Sequence, residues 1–161
     1  MVTFEAMQLL LNDVRSALNI GSIFRSSDAF AVEKIWLTGI CACPPNKEIL
    51  KTALGATQSV SWEYVQDPLA VIENCKAKGF QICAVEQSTK AEMLHNFQCS
   101  TTDNLLLILG NEVEGVAASL LEKSDIHLEI PQFGEKKSLN VAVTAGIVLW
   151  HLTQLNLSSK K

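Results

Sequence analysis

Asn104-Leu105-Leu106-Leu107-Ile108-Leu109-Gly110-Asn111-Glu112-Val113-Glu114-Gly115 is the stretch on which the fold turns. From Leu105 to Leu109 every residue is apolar. A strand with one face in water alternates apolar and polar residues. An unbroken apolar strand is covered on both faces, as in a parallel sheet enclosed by helices. The run stops at Gly110, where the missing side chain allows close backbone approach to a ligand, and then enters a loop carrying Asn111, Glu112 and Gly115. A buried strand opening into a polar, glycine-bearing loop is where α/β proteins place their chemistry.

Outward from this segment, apolar runs alternate with helical spacings. Strands are predicted over 7–11, 34–40, 60–65, 81–85, 105–109 and 126–130, the third with strict alternation. Helices are predicted over 17–31, 47–54, 68–78, 116–121 and 139–155. Gly55 ends the second, and Pro68 and Gly79 bracket the third. This alternation predicts an α/β fold, a mostly parallel sheet flanked by helices on both faces. The expected organisation is one domain over 1–157 and a polar tail over 158–161.

Composition narrows the function. No apolar run approaches the roughly 20 residues of a membrane span, and 1–8 lacks the basic and apolar regions of a secretory signal. A cytoplasmic protein without membrane contact is expected. The five cysteines, at 41, 43, 75, 83 and 99, lack zinc-site spacing, so reduced thiols and no metal are expected. The net charge of −4 argues against a broad electrostatic nucleic-acid footprint. Its two arginines, Arg15 and Arg25, both fall near a second polar segment, Asn19-Ile20-Gly21-Ser22-Ile23-Phe24-Arg25.

Three segments could carry chemistry, each with a plainer structural reading beside it. In the first, Gly21 lies one helical turn before Arg25. It either leaves room for a ligand above the guanidinium or packs closely against another helix. In the second, Gly110 and Gly115 have P-loop spacing, but Val116-Ala117 follow instead of Lys-Ser/Thr, so a P-loop is excluded. No Gly-x-Gly-x-x-Gly occurs either. Glu112 is either functional or a carboxylate that favours the N-terminus of the helix after it. In the third, Ile130-Pro131 ends a strand and Ser138-Leu139-Asn140 opens the last helix. Ser138 reads as that helix's N-cap, whereas Asn140 would be a poor helix former spent inside it.

In this order, the three segments resemble the motifs of the SpoU (TrmH-type) RNA 2′-O-ribose methyltransferases of the SPOUT superfamily, from about residue 10 to residue 152. The resemblance implies a C-terminal trefoil knot, with 131–138 threading a loop, and S-adenosylmethionine as cofactor. It implies catalytic roles for Arg25, Asn19, Ser138, Asn140 and Glu112, with Arg25 essential. It implies a cofactor pocket formed by Val85, Leu109, Gly110, Asn111, Gly115, Ile130 and Leu139. Relatives often carry an additional N-terminal RNA-binding domain or basic extensions, neither of which is expected here, so the RNA, tRNA or rRNA, stays open. A homodimer with a shared active site is implied too, in keeping with a final helix apolar nearly all round. Two other readings remain: a catalytically silent RNA-binding relative, and an unrelated nucleotide-binding α/β domain.

Overall fold

Alternate residues of the central strand serve two different cores. In the computed structural model, which describes residues 6–99 and 103–158, β6 (Asn104–Leu109) sends Leu105, Leu107 and Leu109 into one apolar cluster and Leu106 and Ile108 into the other. It lies between β1 (Ala6–Asn12) and β4 (Phe80–Val85). With β2 (Lys34–Thr38), β3 (Ser61–Val65), β5 (Glu92–Met93) and β7 (Ile126–Glu129) these form one seven-stranded sheet, ordered β3-β2-β1-β6-β4-β7-β5, all neighbours parallel.

The larger cluster lies under α1 (Ala17–Ala29), α2 (Lys47–Ala53), the single turn α3 (Ala56–Ser59) and α6 (Val141–Ser158). From α1 it takes Ile20, Ile23 and Phe24, and from α6 Ala145, Val148, Leu149 and Leu152. On the opposite face α4 (Pro68–Ala77) and α5 (Ala118–Lys123) contribute Val71, Ile72, Cys75 and Leu120. The α/β architecture expected from the unbroken apolar strands is therefore present, with a parallel sheet covered on both sides.

Differences from the sequence reading have local causes. Strand β5 has two residues and α3 one turn, too short to leave a periodic signal. Strand β3 is an edge strand, and its burial does not alternate as its sequence does: Glu63 and Tyr64 are both exposed, with the Tyr64 hydroxyl donating to the Gly39 carbonyl at 2.9 Å. Helix α5 starts at Ala118 rather than 116, because Val116 is tied into the preceding loop. Helix α6 starts at Val141 rather than 139 and runs to Ser158. Ser158, expected in the polar tail, is helical; 159–161 lie outside the described residues.

One glycine settles an alternative left open by the sequence, and another bears on how α6 packs. A Cβ on Gly21 would run into the Thr52 hydroxyl and the Ile49 carbonyl of α2. Gly21 thus brings α1 against α2 and leaves no space for a ligand. Gly146 faces α1 of the same chain, the nearest atom to its Cβ position being the Ser26 hydroxyl at 3.9 Å. Helix α6 nonetheless keeps an open apolar side, with Val143, Ile147 and Trp150 at 51%, 37% and 55% exposure.

Gly21→Ala is expected to lower the unfolding free energy by about 1–3 kcal/mol, the usual cost of overpacking, because backbone lies in the way. Urea denaturation of the variant checks this. An unchanged midpoint would mean that the two helices are not held at this distance.

Candidate active site

The chain leaves four strands, β1, β4, β6 and β7, at the same edge of the sheet, and the polar segments that follow them meet there. A cleft of about 230 Å³ opens between these carboxyl ends. Val85 and Glu86 close β4; Leu109 to Gly115 follow β6; Glu129 and Ile130 close β7; Lys137, Ser138, Leu139 and Val141 bring in the start of α6. All seven residues expected around a cofactor, Val85, Leu109, Gly110, Asn111, Gly115, Ile130 and Leu139, line this one cleft, as do Glu112 and Ser138.

The loop after β6 is shaped by its own polar groups. Asn111 accepts from the amides of Val113 and Glu114 at 2.8 and 3.0 Å, and its amide group reaches the Asp13 carbonyl at 3.0 Å. Asn111 and Gly115 exchange backbone hydrogen bonds, which close the loop. Gly115 has φ +73° and faces the Glu86 carboxylate. Gly110 is needed because a Cβ there would meet the backbone of Gly115 and Val116. The role read for it changes accordingly: its missing side chain admits the returning loop rather than a ligand.

Glu86 escaped the sequence reading, though it lies in the cleft. Its carboxylate accepts from the Val116 amide at 2.8 Å and the Gln87 amide at 2.9 Å, pinning the far end of the loop to β4. A lone Glu after a strand, in no recognisable spacing, gives no signal in sequence. The neighbouring Gln87 donates to the Lys137 carbonyl at 2.9 Å, fastening the segment ahead of α6 to the same strand.

Glu112 does favour a helix N-terminus, though that of α1 rather than of the helix following it in sequence. Its carboxylate accepts from the Ser16 amide at 3.1 Å, the Arg15 amide at 3.3 Å and the Asn19 side chain at 3.4 Å. Partial burial pushes its pKa up, but the amides of Glu112 itself, Ser16 and Arg15 and the Asn19 side chain outweigh that, leaving it below the usual carboxylate value. Asn19 passes the connection on, accepting from the Asn140 side chain at 3.1 Å. Asn140 in turn accepts from the Ala142 and Val143 amides at 2.8 and 3.3 Å. Asn140 is thus the N-cap of α6, the role read for Ser138, and its poor helix propensity costs nothing there.

Asn19, Glu112 and Asn140, one from each segment, form a single hydrogen-bonded chain, of which only Glu112 is among the described residues lining the cleft. Arg25 does not join them. It is exposed, six residues further along α1, or about 9 Å at the helical rise, and it is not among the described residues lining the cleft. The cysteines take no part. Burial raises Cys41 and Cys83 to about 11 and about 12, the reverse of an activated thiol, and among the described residues no cluster of His, Cys, Asp or Glu suits a metal ion.

The depressed pKa of Glu112 has a pH consequence. A carboxylate stronger in the folded than in the unfolded state contributes stability above its unfolded pKa, and that contribution is lost as pH falls through the folded value. Wild type is therefore expected to exceed Glu112→Gln in stability near neutral pH, the gap closing on acidification below about pH 4. Urea titrations of both proteins across that range check it. A gap independent of pH would remove the charge from the capping role.

Residues 6–150 match the model of the SpoU rRNA Methylase family. The chain is 32% identical over 143 residues to a protein of Synechocystis named as a tRNA/rRNA methyltransferase, covering 88% of this chain and 51% of that one. It is 31% identical over 144 residues to the 23S rRNA (guanosine(2553)-2′-O)-methyltransferase RlmP of Bacillus subtilis, covering 89% and 56%. Among solved structures, an AdoMet-bound rRNA methyltransferase from Sinorhizobium meliloti is similar with a TM-score of 0.87 at 25% identity, covering 93% of this chain and 56% of that one. The chain spans about half the length of these relatives.

Proposed function

That the chain belongs to the SpoU rRNA methylase family is the premise from which we propose its activity: S-adenosylmethionine-dependent methylation of a ribose 2′-hydroxyl in tRNA or rRNA. The observation that carries this reading is the hydrogen-bonded chain of Asn19, Glu112 and Asn140, which joins the three polar segments beside a cleft that Glu112 lines. The catalytically silent relative and the unrelated nucleotide-binding domain are the alternatives the assay below separates.

The cleft suits the cofactor in charge and in shape. Its walls carry four carboxylates, Glu86, Glu112, Glu114 and Glu129, against one ammonium, Lys137, so they favour a cationic ligand. Leu109, Ile130, Leu139 and Val141 supply apolar surface for an adenine, and the irregular backbone on either side supplies amides and carbonyls for its edges. When bound, the cofactor supplies an electrophilic methyl on a sulfonium.

The remaining work falls to the protein. A ribose hydroxyl is a weak nucleophile, so it must be held in line with the methyl and relieved of its proton. Ser138, at the cleft wall, and the Asn19–Asn140 pair are placed to orient the ribose. Arg25 would hold a neighbouring phosphate and stabilise charge developing on the ribose oxygen through its planar donors. Because Arg25 lies outside the cleft of its own chain, this role requires RNA or a second protomer to close the distance.

The open apolar side of α6 supports a homodimer. The further proposals are one methyltransferase domain over 1–157, a trefoil closed by the passage of 131–138 beside the ends of β4 and β6, and a cytoplasmic location.

The deciding assay incubates the protein with methyl-labelled S-adenosylmethionine and bulk tRNA and rRNA, then maps the methylated ribose. The expected result is alkali-resistant label at one nucleotide. Cofactor binding without any transfer would favour the silent relative, and ATP or flavin binding in its place the unrelated domain. In the same assay Arg25→Lys is expected to lose methyl transfer by orders of magnitude while cofactor affinity by calorimetry is nearly kept. Wild-type turnover in that variant would make Arg25 an ordinary surface residue.

Sedimentation at micromolar protein is expected to give a dimer that Trp150→Glu dissociates, with methyl transfer falling as the dimer is lost. A single active species at 17.6 kDa would contradict both the dimer and a shared site.

A further inference from the structure

The segment between β7 and α6 carries the most exposed large apolar side chain among the described residues. Phe133 is 95% exposed and makes no ring contact there. A single exposed apolar side chain needs no explanation, but this phenylalanine stands in water on a loop whose Gln132 and Lys137 line the cleft. The loop is held at its far end: Gln87 grips the Lys137 carbonyl, and Asn140 is bonded to both Asn19 and the α6 amides. The ring is thus mounted beside the cleft on a tethered segment. Val113, 91% exposed on the loop after β6, stands on another wall of the same opening.

Charge selects the occupant. After Phe133 the loop continues Gly134-Glu135-Lys136-Lys137, and all three charged residues are exposed. Neither lysine forms an ion pair among the described residues, and the two ammonium groups outnumber the one carboxylate. Lys137 also lines the cleft. The cleft walls carry four carboxylates against this one ammonium and repel phosphate. A polyanion therefore stays at the rim, where these two ammonium groups are. An aromatic face next to two lysines, above an opening that must admit a ribose, has the composition of a nucleotide clamp.

We propose that Phe133 stacks on an unpaired nucleobase of the RNA at or next to the methylated nucleotide, while Lys136 and Lys137 hold the adjoining phosphates. The proposal rests on the methyltransferase reading and adds to it the part of the substrate this loop reads. Stacking requires a base out of its helix, so the clamp favours single-stranded or looped RNA over duplex. It is tolerant of base identity, because every base offers a π-face.

The test uses the full chain, a 12-nucleotide oligouridylate and a blunt 12-base-pair RNA duplex, with Phe133→Ala and Phe133→Trp. Full exposure at 133 makes both variants compatible with folding, and calorimetry with S-adenosylmethionine serves as control. Phe133→Ala is expected to weaken oligouridylate binding by about 5- to 150-fold, the range for one lost base stack. In methyl transfer to bulk tRNA and rRNA it is expected to raise KM more than it lowers kcat. Phe133→Trp should restore affinity, and its indole emission should be quenched by oligouridylate much more than by duplex. Unchanged RNA affinity in Phe133→Ala, with cofactor binding intact, overturns the stacking role and leaves the methyltransferase reading standing. Equal quenching by duplex, or dissociation of a wild-type dimer by Phe133→Ala, also overturns it. Wild-type protein that binds no S-adenosylmethionine overturns both.

Discussion

The Glu112 carboxylate sits at the N-terminus of a helix that begins almost a hundred residues before it in sequence, and much of the site depends on that contact. A helix leaves its first amides unsatisfied, and a carboxylate there both accepts hydrogen bonds and meets the positive end of the dipole. Ser16 is already the N-cap of α1, its side chain accepting from the Asn19 amide. Glu112 takes the amides of that cap residue and of Arg15 before it. This frees the Asn19 side chain to lie between Glu112 and Asn140, and Asn140 starts α6. One negative charge thus sets the relative position of α1, the loop after β6 and the N-terminus of α6. Breaking it shifts the relation between segments more than it unfolds any one of them.

Loop rigidity follows the same logic on the other side. The loop after β6 is closed by Asn111, crossed by Gly110 where no side chain is allowed, and pinned at its end by Glu86. These polar groups are spent on backbone amides that would otherwise be unsatisfied near a sheet edge. The result is a cleft whose shape is set mainly by backbone. Such a wall discriminates by form and by the direction of its amides and carbonyls, which suits a flat heterocycle.

The fold was legible because its central strands are apolar on both faces, as in a covered parallel sheet. The residues that line the cleft were legible because Gly110, Asn111 and Gly115 form a compact cluster at the end of such a strand. Their individual roles were harder to read. Gly21 and Gly110 look alike in sequence as openings for a ligand, yet both are empty because protein backbone approaches them. Ser138 and Asn140 are both good caps, and nothing local decides between them; the choice is made by Asn19, 121 residues away. Glu86 and Phe133 were invisible for opposite reasons. The first sits in no motif, and the second acquires meaning only when its exposure beside a cleft is known.

Electrostatics then divides the proposed reaction between two zones. A net charge of −4 gives little long-range attraction for RNA, and beyond about 8 Å physiological salt screens what exposed charges remain. Affinity must therefore come from contacts made at close range, at the rim. Inside, the carboxylates favour a sulfonium and disfavour phosphate, so the backbone of the substrate cannot follow its ribose inward. A ribose must be presented edge-on, with its base held aside, for the hydroxyl alone to enter. An aromatic ring and two lysines on one tethered loop meet that demand, with Lys137 the one ammonium on cleft walls that carry four carboxylates.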